Sequence, residues 1–181
     1  MKNIFILKKA YAQYLAALFS FGQLCAQQTE SSQPAFTETH YSPGSSSGQN
    51  YYAAGGIRWL TNYQEAVFAS QSSSKPIVIL FTGTNWCPAC MSLERRVLTH
   101  PEFKDAVGQK FIFLKAEFPD YSQAASSPYK PLLDHYGINE FPSIVVINAS
   151  GQVLFTVKYR DGGPQAYAKE MLQKLSSFSN P

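Results

Sequence analysis

Apolar runs and segments of helical periodicity alternate along the chain from about residue 57 to its end. Before that point, residues 27–56 consist mainly of Ser, Gln, Thr, Gly, Pro and Tyr. Such a segment cannot bury enough apolar surface to offset the entropy lost on ordering. We therefore expect a flexible leader over 27–56 and one folded domain over 57–181.

Five apolar runs have the length and composition of β-strands. The run 75–83 is almost continuously apolar between Pro76 and Gly83, which is typical of a central strand covered on both faces. The turn at 149–151 predicts a hairpin between the last two strands. The other four runs are one short edge strand and three later strands, at 57–60, 110–118, 142–148 and 152–159.

Five further segments predict helices. The first, 61–70, has a capping residue at Thr61 or Asn62 and turns Ala66, Val67 and Phe68 inward. The second opens at the sequence Cys-Pro-Ala-Cys that begins at residue 87. The remaining three follow at 100–108, 128–137 and 163–178.

The second predicted helix has one apolar face. Cys90, Leu93 and Val97 recur at the i, i+3 and i+7 spacing of a buried helix face. The charged residues between them are predicted to point outward, namely Glu94, Arg95 and Arg96.

The order of these elements is β, α, β, α, α, β, α, β, β, α. Two βαβ crossovers followed by a hairpin and a last helix predict an α/β fold, with a mixed central sheet flanked by helices on both faces.

The first 26 residues predict a secretory signal. Lysines precede or flank an apolar stretch, and the segment ends in Ala26, a small residue suited to cleavage. A retained membrane anchor is the alternative, but polar residues interrupt the stretch before it reaches the roughly 20 apolar residues of a span. Lipidation of Cys25 is a further alternative, although the residues before it lack the expected pattern.

Charge gives no indication of a nucleic-acid partner. The formal net charge is +3, but the predicted signal holds three of the 15 basic residues and none of the 12 acidic ones. The rest of the chain is therefore neutral, and no basic cluster with interleaved aromatic residues is present.

The sequence resembles the thioredoxin superfamily over residues 57–178. Three features carry the resemblance: Trp-Cys-Pro-Ala-Cys between a central strand and a helix, Phe-Pro-Ser at 141–143 opening a later strand, and the hairpin and helix that follow. The longer string from Lys75 to Cys90 is similar to the secreted reductase branch, such as the carboxy-terminal domain of DsbD and the DsbH type. The resemblance implies a thioredoxin fold and thiol-disulfide exchange.

The chemistry of the two cysteines agrees with this resemblance. Cys87 at the first turn of a helix meets unpaired N–H groups and the positive end of the helix dipole, so its pKa should lie below the free value of about 8.5. Cys90, on the apolar face, keeps its proton. We expect Cys87 to attack a substrate disulfide and Cys90 to resolve the mixed disulfide.

The resemblance also implies a substrate groove. Pro142 matches the family's cis-proline, which presents the backbone of Phe141 beside the Cys87 sulfur. Phe141 is larger than the Thr or Val often found there. The other predicted groove residues are Trp86, Pro88 and Ala89, and Pro88 suits a first helical turn.

The family's buried acid is missing from this sequence. About six residues before the first cysteine the chain has Leu80, Phe81 and Thr82. Lys115 and Glu117 share one face of the next strand, so Glu117, held by Lys115, is one candidate proton relay. The alternative is that both lie in solvent at the end of the strand.

Other uses of the cysteine pair fit less well. Zinc would need two more ligands, and His40, His100 and His135 show no paired spacing. Haem attachment would need His at the position of Met91. A static disulfide is possible in an exported protein, but a loop this short constrains the unfolded chain little.

The sequence therefore predicts an exported, periplasmic protein disulfide reductase that needs no cofactor or metal. A DsbA-type oxidase is the first alternative, although no helical insertion of that type is present, and a binding or chaperone module using the groove is the second. Expected partners are exported proteins with disulfides or thiols and a membrane electron donor of DsbD type, with no nucleic acid, and we expect a monomer.

Overall fold

The computed structural model describes residues 51–52, 56–83 and 85–179. The predicted signal at 1–26, Cys25 and most of the predicted leader lie outside the described residues. No helix within the described residues is long and apolar enough to cross a membrane.

Six strands form one mixed sheet. They are β1 Tyr51–Tyr52, β2 Arg58–Leu60, β3 Ile77–Thr82, β4 Ile112–Glu117, β5 Ser143–Ile147 and β6 Val153–Lys158. Their order in the sheet is β1-β2-β4-β3-β5-β6. The central strand β3 runs parallel to β4 on one side and antiparallel to β5 on the other. Strand β2 is parallel to β4, whereas β6 is antiparallel to β5.

From β2 onward, strands and helices follow one another in the predicted order. The α-helices are α1 Tyr63–Ser73, α2 Pro88–Leu93, α3 Pro101–Val107, α4 Lys130–His135 and α5 Pro164–Ser179. Helix α2 continues directly into a π-helical turn, Glu94–Leu98, and a short 3-10 helix, Tyr121–Ser126, precedes α4.

Both faces of the sheet are covered. Side chains alternate between the faces along each strand, so each strand contributes to two separate core layers. On one face, Val78 and Leu80 of β3 pack with Leu93 of α2 and Met171 of α5. On the other face, Ile77, Ile79 and Phe81 of β3 pack with α1 and α4. The predicted α/β thioredoxin-like fold is confirmed, and β3 is buried along its whole length.

The prediction that Phe68 faces inward is wrong. Its side chain is 69% exposed, whereas Ala66 is fully buried. A helix advances about 100° per residue, so Phe68 lies on the opposite side from Ala66. Val67, between them, is half-buried and packs against the core, so two of the three predicted residues face inward.

The prediction of 57–60 as an edge strand also needs correction. Tyr51 and Tyr52, within the predicted leader, pair antiparallel with Trp59 and Arg58. Strand β2 therefore has a neighbour on each side, with β4 on the inner one. A two-residue strand is too short to give a sequence signal.

Candidate active site

The two cysteines form a disulfide where the central strand meets α2. Cys87 and Cys90 are bonded, with their Cα atoms 5.2 Å apart. Cys87 is the N-cap of α2 and Pro88 is its first residue, as predicted. Proline is tolerated there because the first N–H groups of a helix have no partner within the helix.

Backbone N–H groups point at both sulfurs. The N–H of Cys90 donates to Cys87 Sγ (3.1 Å), and the N–H of Gly83, at the end of β3, donates to Cys90 Sγ (3.4 Å). Cys90 is 2% exposed and Cys87 is 5% exposed. The Cys90 N–H would stabilise negative charge on the Cys87 sulfur once the disulfide is reduced.

The turn that leads into β5 lies against the disulfide. The Phe141–Pro142 peptide bond is cis, as predicted, and the Phe141 carbonyl oxygen is 3.7 Å from Cys87 Sγ. Pro142 is buried and Phe141 is half-buried. The backbone of Phe141 is thus the polypeptide segment beside the first sulfur.

Trp86 is fixed by a polar and a steric contact. Its indole N–H donates to the Phe118 carbonyl oxygen (2.7 Å). Its ring also lies so close to Gly83 that a Cβ atom there would collide with it. Gly83 and Phe118 therefore position the tryptophan, and neither is predicted as a site residue from the sequence.

An aromatic cluster extends from the predicted groove. Phe141 makes edge-to-face contacts with Trp86 (centroids 5.3 Å apart) and with Phe118 (5.2 Å). Tyr129 packs against Phe118 (6.2 Å). Burial, and secondarily the Glu117 carboxylate, raise the pKa of Tyr129, so it stays a neutral phenol that donates to the Thr61 carbonyl oxygen.

Lys115 is buried and paired with Glu94, which corrects two predictions. Glu94 was predicted to point outward, and Lys115 was alternatively placed in solvent. Instead Lys115 is 4% exposed, and its Nζ donates to both carboxylate oxygens of Glu94, at 3.2 and 3.4 Å. Arg95 and Arg96 are exposed, as predicted.

Glu94 could have been found from sequence by its position four residues after Cys90, on the same helix face. Glu117 ends β4 opposite Thr82 and is partly exposed. Its proposed role as a relay stays a prediction. Lys115 has a hydrogen-bonded carboxylate partner on a different element from the predicted one.

The remaining predicted residues have simple positions. Pro88 is exposed and Ala89 is half-buried beside the disulfide. His100 lies 3.5 Å from the Glu102 carboxylate, and the His135 ring packs on Tyr136 (4.7 Å). Among the residues that the structure describes, no three His, Cys, Asp or Glu side chains converge as metal ligands would.

A disulfide at a helix N-terminus, beside a cis-proline turn and on a mixed sheet of this topology, is typical of thioredoxin-like proteins. A family model described as thioredoxin-like matches residues 58–149. The chain belongs to the thioredoxin-like family.

Two curated relatives come from Chlamydia pneumoniae. The disulfide bond reductase DsbH is 29% identical over 126 residues, which cover 68% of this chain and 75% of DsbH. The thioredoxin-related protein DsbJ is 26% identical over 104 residues, 56% of this chain but 30% of DsbJ.

A solved structure of a DsbH oxidoreductase superposes with a TM-score of 0.60 at 29% identity, covering 68% of this chain and 88% of that one. The chain is thus homologous to thiol-disulfide oxidoreductases of DsbH type.

Proposed function

We propose that this protein is an exported thiol-disulfide oxidoreductase that reduces disulfides in other proteins. The observation that carries the proposal is the Cys87–Cys90 disulfide at the start of α2, with the Phe141 backbone beside Cys87 Sγ. The relative DsbH is named a disulfide bond reductase, which supports this direction of electron flow over the opposite one.

In the proposed reaction, the Cys87 thiolate attacks one sulfur of a client disulfide. One client thiolate leaves, and a mixed disulfide joins Cys87 to the client. Cys90 then attacks Cys87 Sγ, which releases the second client thiolate and forms the Cys87–Cys90 disulfide. Two electrons pass from the cysteine pair to the client.

The groove supplies binding for an extended client segment. Backbone groups of Phe141 are available to pair with it, as strands pair at a sheet edge, and Pro142 offers no competing N–H. The rings of Trp86 and Phe141, with the exposed Pro88 and the half-buried Ala89, provide an apolar border. Affinity therefore comes mainly from backbone pairing, which suits many different clients.

The cellular setting is part of the same proposal. We assign residues 1–26 to a cleaved signal, 27–56 to a leader and 57–181 to the catalytic domain, which acts as a monomer in the periplasm. Since a reductase in an oxidising compartment must be re-reduced, a membrane electron donor of DsbD type is the proposed source of electrons. No cofactor or metal is required, since the two sulfurs carry the electrons.

The test follows electrons in both directions. Reduced protein is mixed with an oxidised disulfide-bonded client, and oxidised protein is mixed with the reduced, unfolded client. We expect the first reaction to dominate. A Cys90→Ser variant should accumulate a mixed disulfide with the client, whereas Cys87→Ser should accumulate none.

Two outcomes would overturn the proposal. Faster oxidation than reduction would make the protein a DsbA-type disulfide donor. Client binding that persists in a Cys87→Ser, Cys90→Ser double variant, with no redox change in the presence of wild type, would make it a binding or chaperone module.

A further inference from the structure

Cys90 must lose a proton before it can attack, and its sulfur lies in an enclosed place. The nucleophile in disulfide exchange is the thiolate. Cys90 is 2% exposed, and its sulfur accepts a hydrogen bond from the Gly83 N–H. The β3 residues Leu80, Phe81 and Thr82, which precede the cysteine motif, are buried and include no acid. Resolution of the mixed disulfide therefore needs a proton acceptor that reaches this enclosed place.

The Lys115–Glu94 pair is unlike the other ion pairs within the described residues. The Lys115 side chain is 5% exposed and that of Glu94 is 25% exposed. In the other ion pairs both side chains are at least 23% exposed. A buried ammonium is costly unless it is paired, so Lys115 keeps the Glu94 carboxylate at the core boundary.

Glu94 lies one helical turn after Cys90. The Glu94 N–H donates to the Cys90 carbonyl oxygen, which is the α-helical i to i+4 bond and puts both side chains on one face. Such side chains have Cβ atoms about 5–6 Å apart. Because helical side chains tilt toward the N-terminus, the Glu94 carboxylate leans over the turn that contains Cys90.

Lys115 approaches the same region from the sheet. It lies opposite Leu80 in the β3–β4 register, three residues before Gly83, whose N–H reaches the Cys90 sulfur. The Lys115 ammonium and the disulfide therefore both lie next to α2, the ammonium at Glu94 just after the helix and the disulfide at its first turn. A proton acceptor must lie within hydrogen-bond reach of the thiol, directly or through one water, and the i, i+4 spacing of Cys90 and Glu94 is compatible with this.

We propose that Glu94, positioned by Lys115, accepts the proton of the Cys90 thiol when Cys90 resolves the mixed disulfide. The pair would take the place of the family's acid, which Leu80, Phe81 and Thr82 of β3 do not supply. This inference rests on the proposed function only in requiring that a mixed disulfide forms at Cys87. Glu94 is the proton acceptor and Lys115 is a positioning residue.

The step balances. The Cys90 S–H bond breaks and its proton moves to a Glu94 oxygen, while the Cys90 sulfur forms a bond to Cys87 Sγ. The bond from Cys87 Sγ to the client sulfur breaks, and the client leaves as a thiolate with both electrons of that bond. Glu94 then returns its proton to the departing thiolate or to solvent.

The test separates attack from resolution in a single turnover. Reduced protein is mixed with excess of an aromatic disulfide that releases one coloured thiolate when Cys87 attacks and a second when Cys90 resolves. The rate of the first phase scales with reagent concentration, whereas that of the second does not. The variants are Glu94→Gln, Glu94→Asp and Lys115→Met, each checked for folding by urea unfolding.

We expect Glu94→Gln to slow the second phase about tenfold at neutral pH and to leave the first unchanged. This rate loss is smaller than the loss on removing most general bases, because a thiol is already partly ionised at neutral pH. Glu94→Asp, which keeps the acid, should restore the second phase to within about threefold of wild type. Lys115→Met should slow it to an intermediate extent.

Glu170→Gln is the matched control, since the Glu170 side chain is 23% exposed and pairs with Arg160 and Lys174. It removes a paired carboxylate of similar exposure to Glu94 and should leave both phases unchanged. A second phase of wild-type rate in Glu94→Gln, with wild type itself resolving normally, would overturn the inference alone. A wild-type protein that releases only one coloured thiolate per molecule would overturn the proposed function and the inference with it.

Discussion

Gly83 contacts both the Trp86 ring and the Cys90 sulfur. Its N–H donates to Cys90 Sγ, and its missing side chain leaves room for the indole ring. The ring in turn contacts Phe141. One small residue at the end of β3 therefore couples the cysteine pair to the groove.

We expect Gly83→Ala to destabilise the domain by about 1–3 kcal/mol, the usual cost of overpacking a filled site. Urea unfolding measures this directly. Gly163→Ala is the control, because its Cβ would meet only Gln165 Oε1 at an ordinary 3.6 Å. Equal stability of Gly83→Ala and Gly163→Ala would show that the Trp86 ring is not confined as described.

Single residues of the site differ in how far the sequence predicts them. Cys87, Cys90 and Pro142 follow from a motif whose spacing is local or typical of the family. The Lys115–Glu94 pair does not, because a strand residue meets a helix residue only after the fold has formed. Gly83 and Phe118 contribute backbone groups, which leave little trace in residue type.

At the scale of elements, α1 shows how one polar side chain fixes a helix start. Asn62 Oδ1 accepts a hydrogen bond from the Glu65 N–H (2.9 Å), which satisfies one of the unpaired donors of the first turn. The predicted cap at Thr61 or Asn62 is thereby confirmed for Asn62.

Asn62→Ala should destabilise the protein by about 1 kcal/mol, the typical cost of losing an N-cap. The matched control is Ser72→Ala in the last turn of the same helix. The Ser72 hydroxyl bonds only to the Phe68 carbonyl oxygen, so this change should be neutral or slightly stabilising. If both variants unfold at the same urea concentration as wild type, the cap contributes nothing.

Elements with a strong period were predictable and their orientations less so. The buried run of β3 and the alternation in β6 gave the strands within a few residues. The prediction that Phe68 faces inward is wrong because three adjacent apolar residues do not fix which side of the helix is buried. Strand β1 was not predicted because its pairing with β2 is a tertiary contact.

For the whole molecule, β6 and α5 are joined by charges whose contribution depends on pH. Arg160, after β6, and Lys174 both bind the Glu170 carboxylate. Desolvation would raise the Glu170 pKa, but the hydrogen bonds from Arg160 and Lys174 outweigh it, so the pKa lies below its usual 4.5.

A carboxyl with a lowered pKa stabilises the folded state above its unfolded pKa, and this contribution is lost as the pH falls through the folded one. We expect Glu170→Gln to cost about 1 kcal/mol at neutral pH, with the difference from wild type vanishing well below pH 4.5. Unfolding measured over a pH series tests this. The exposed Glu140→Gln is the control, and a difference for Glu170→Gln that stays constant down to pH 3 contradicts the account.

The equilibrium reduction potential of the Cys87–Cys90 pair decides whether this protein reduces or oxidises its clients. The protein, purified after export, would be titrated in thiol-disulfide buffers and read by alkylation of free thiols. A potential near roughly −270 mV, as in thioredoxin, is what a protein disulfide reductase requires. A potential near roughly −120 mV, as in DsbA, would make the protein a disulfide donor and contradict its assignment as a reductase.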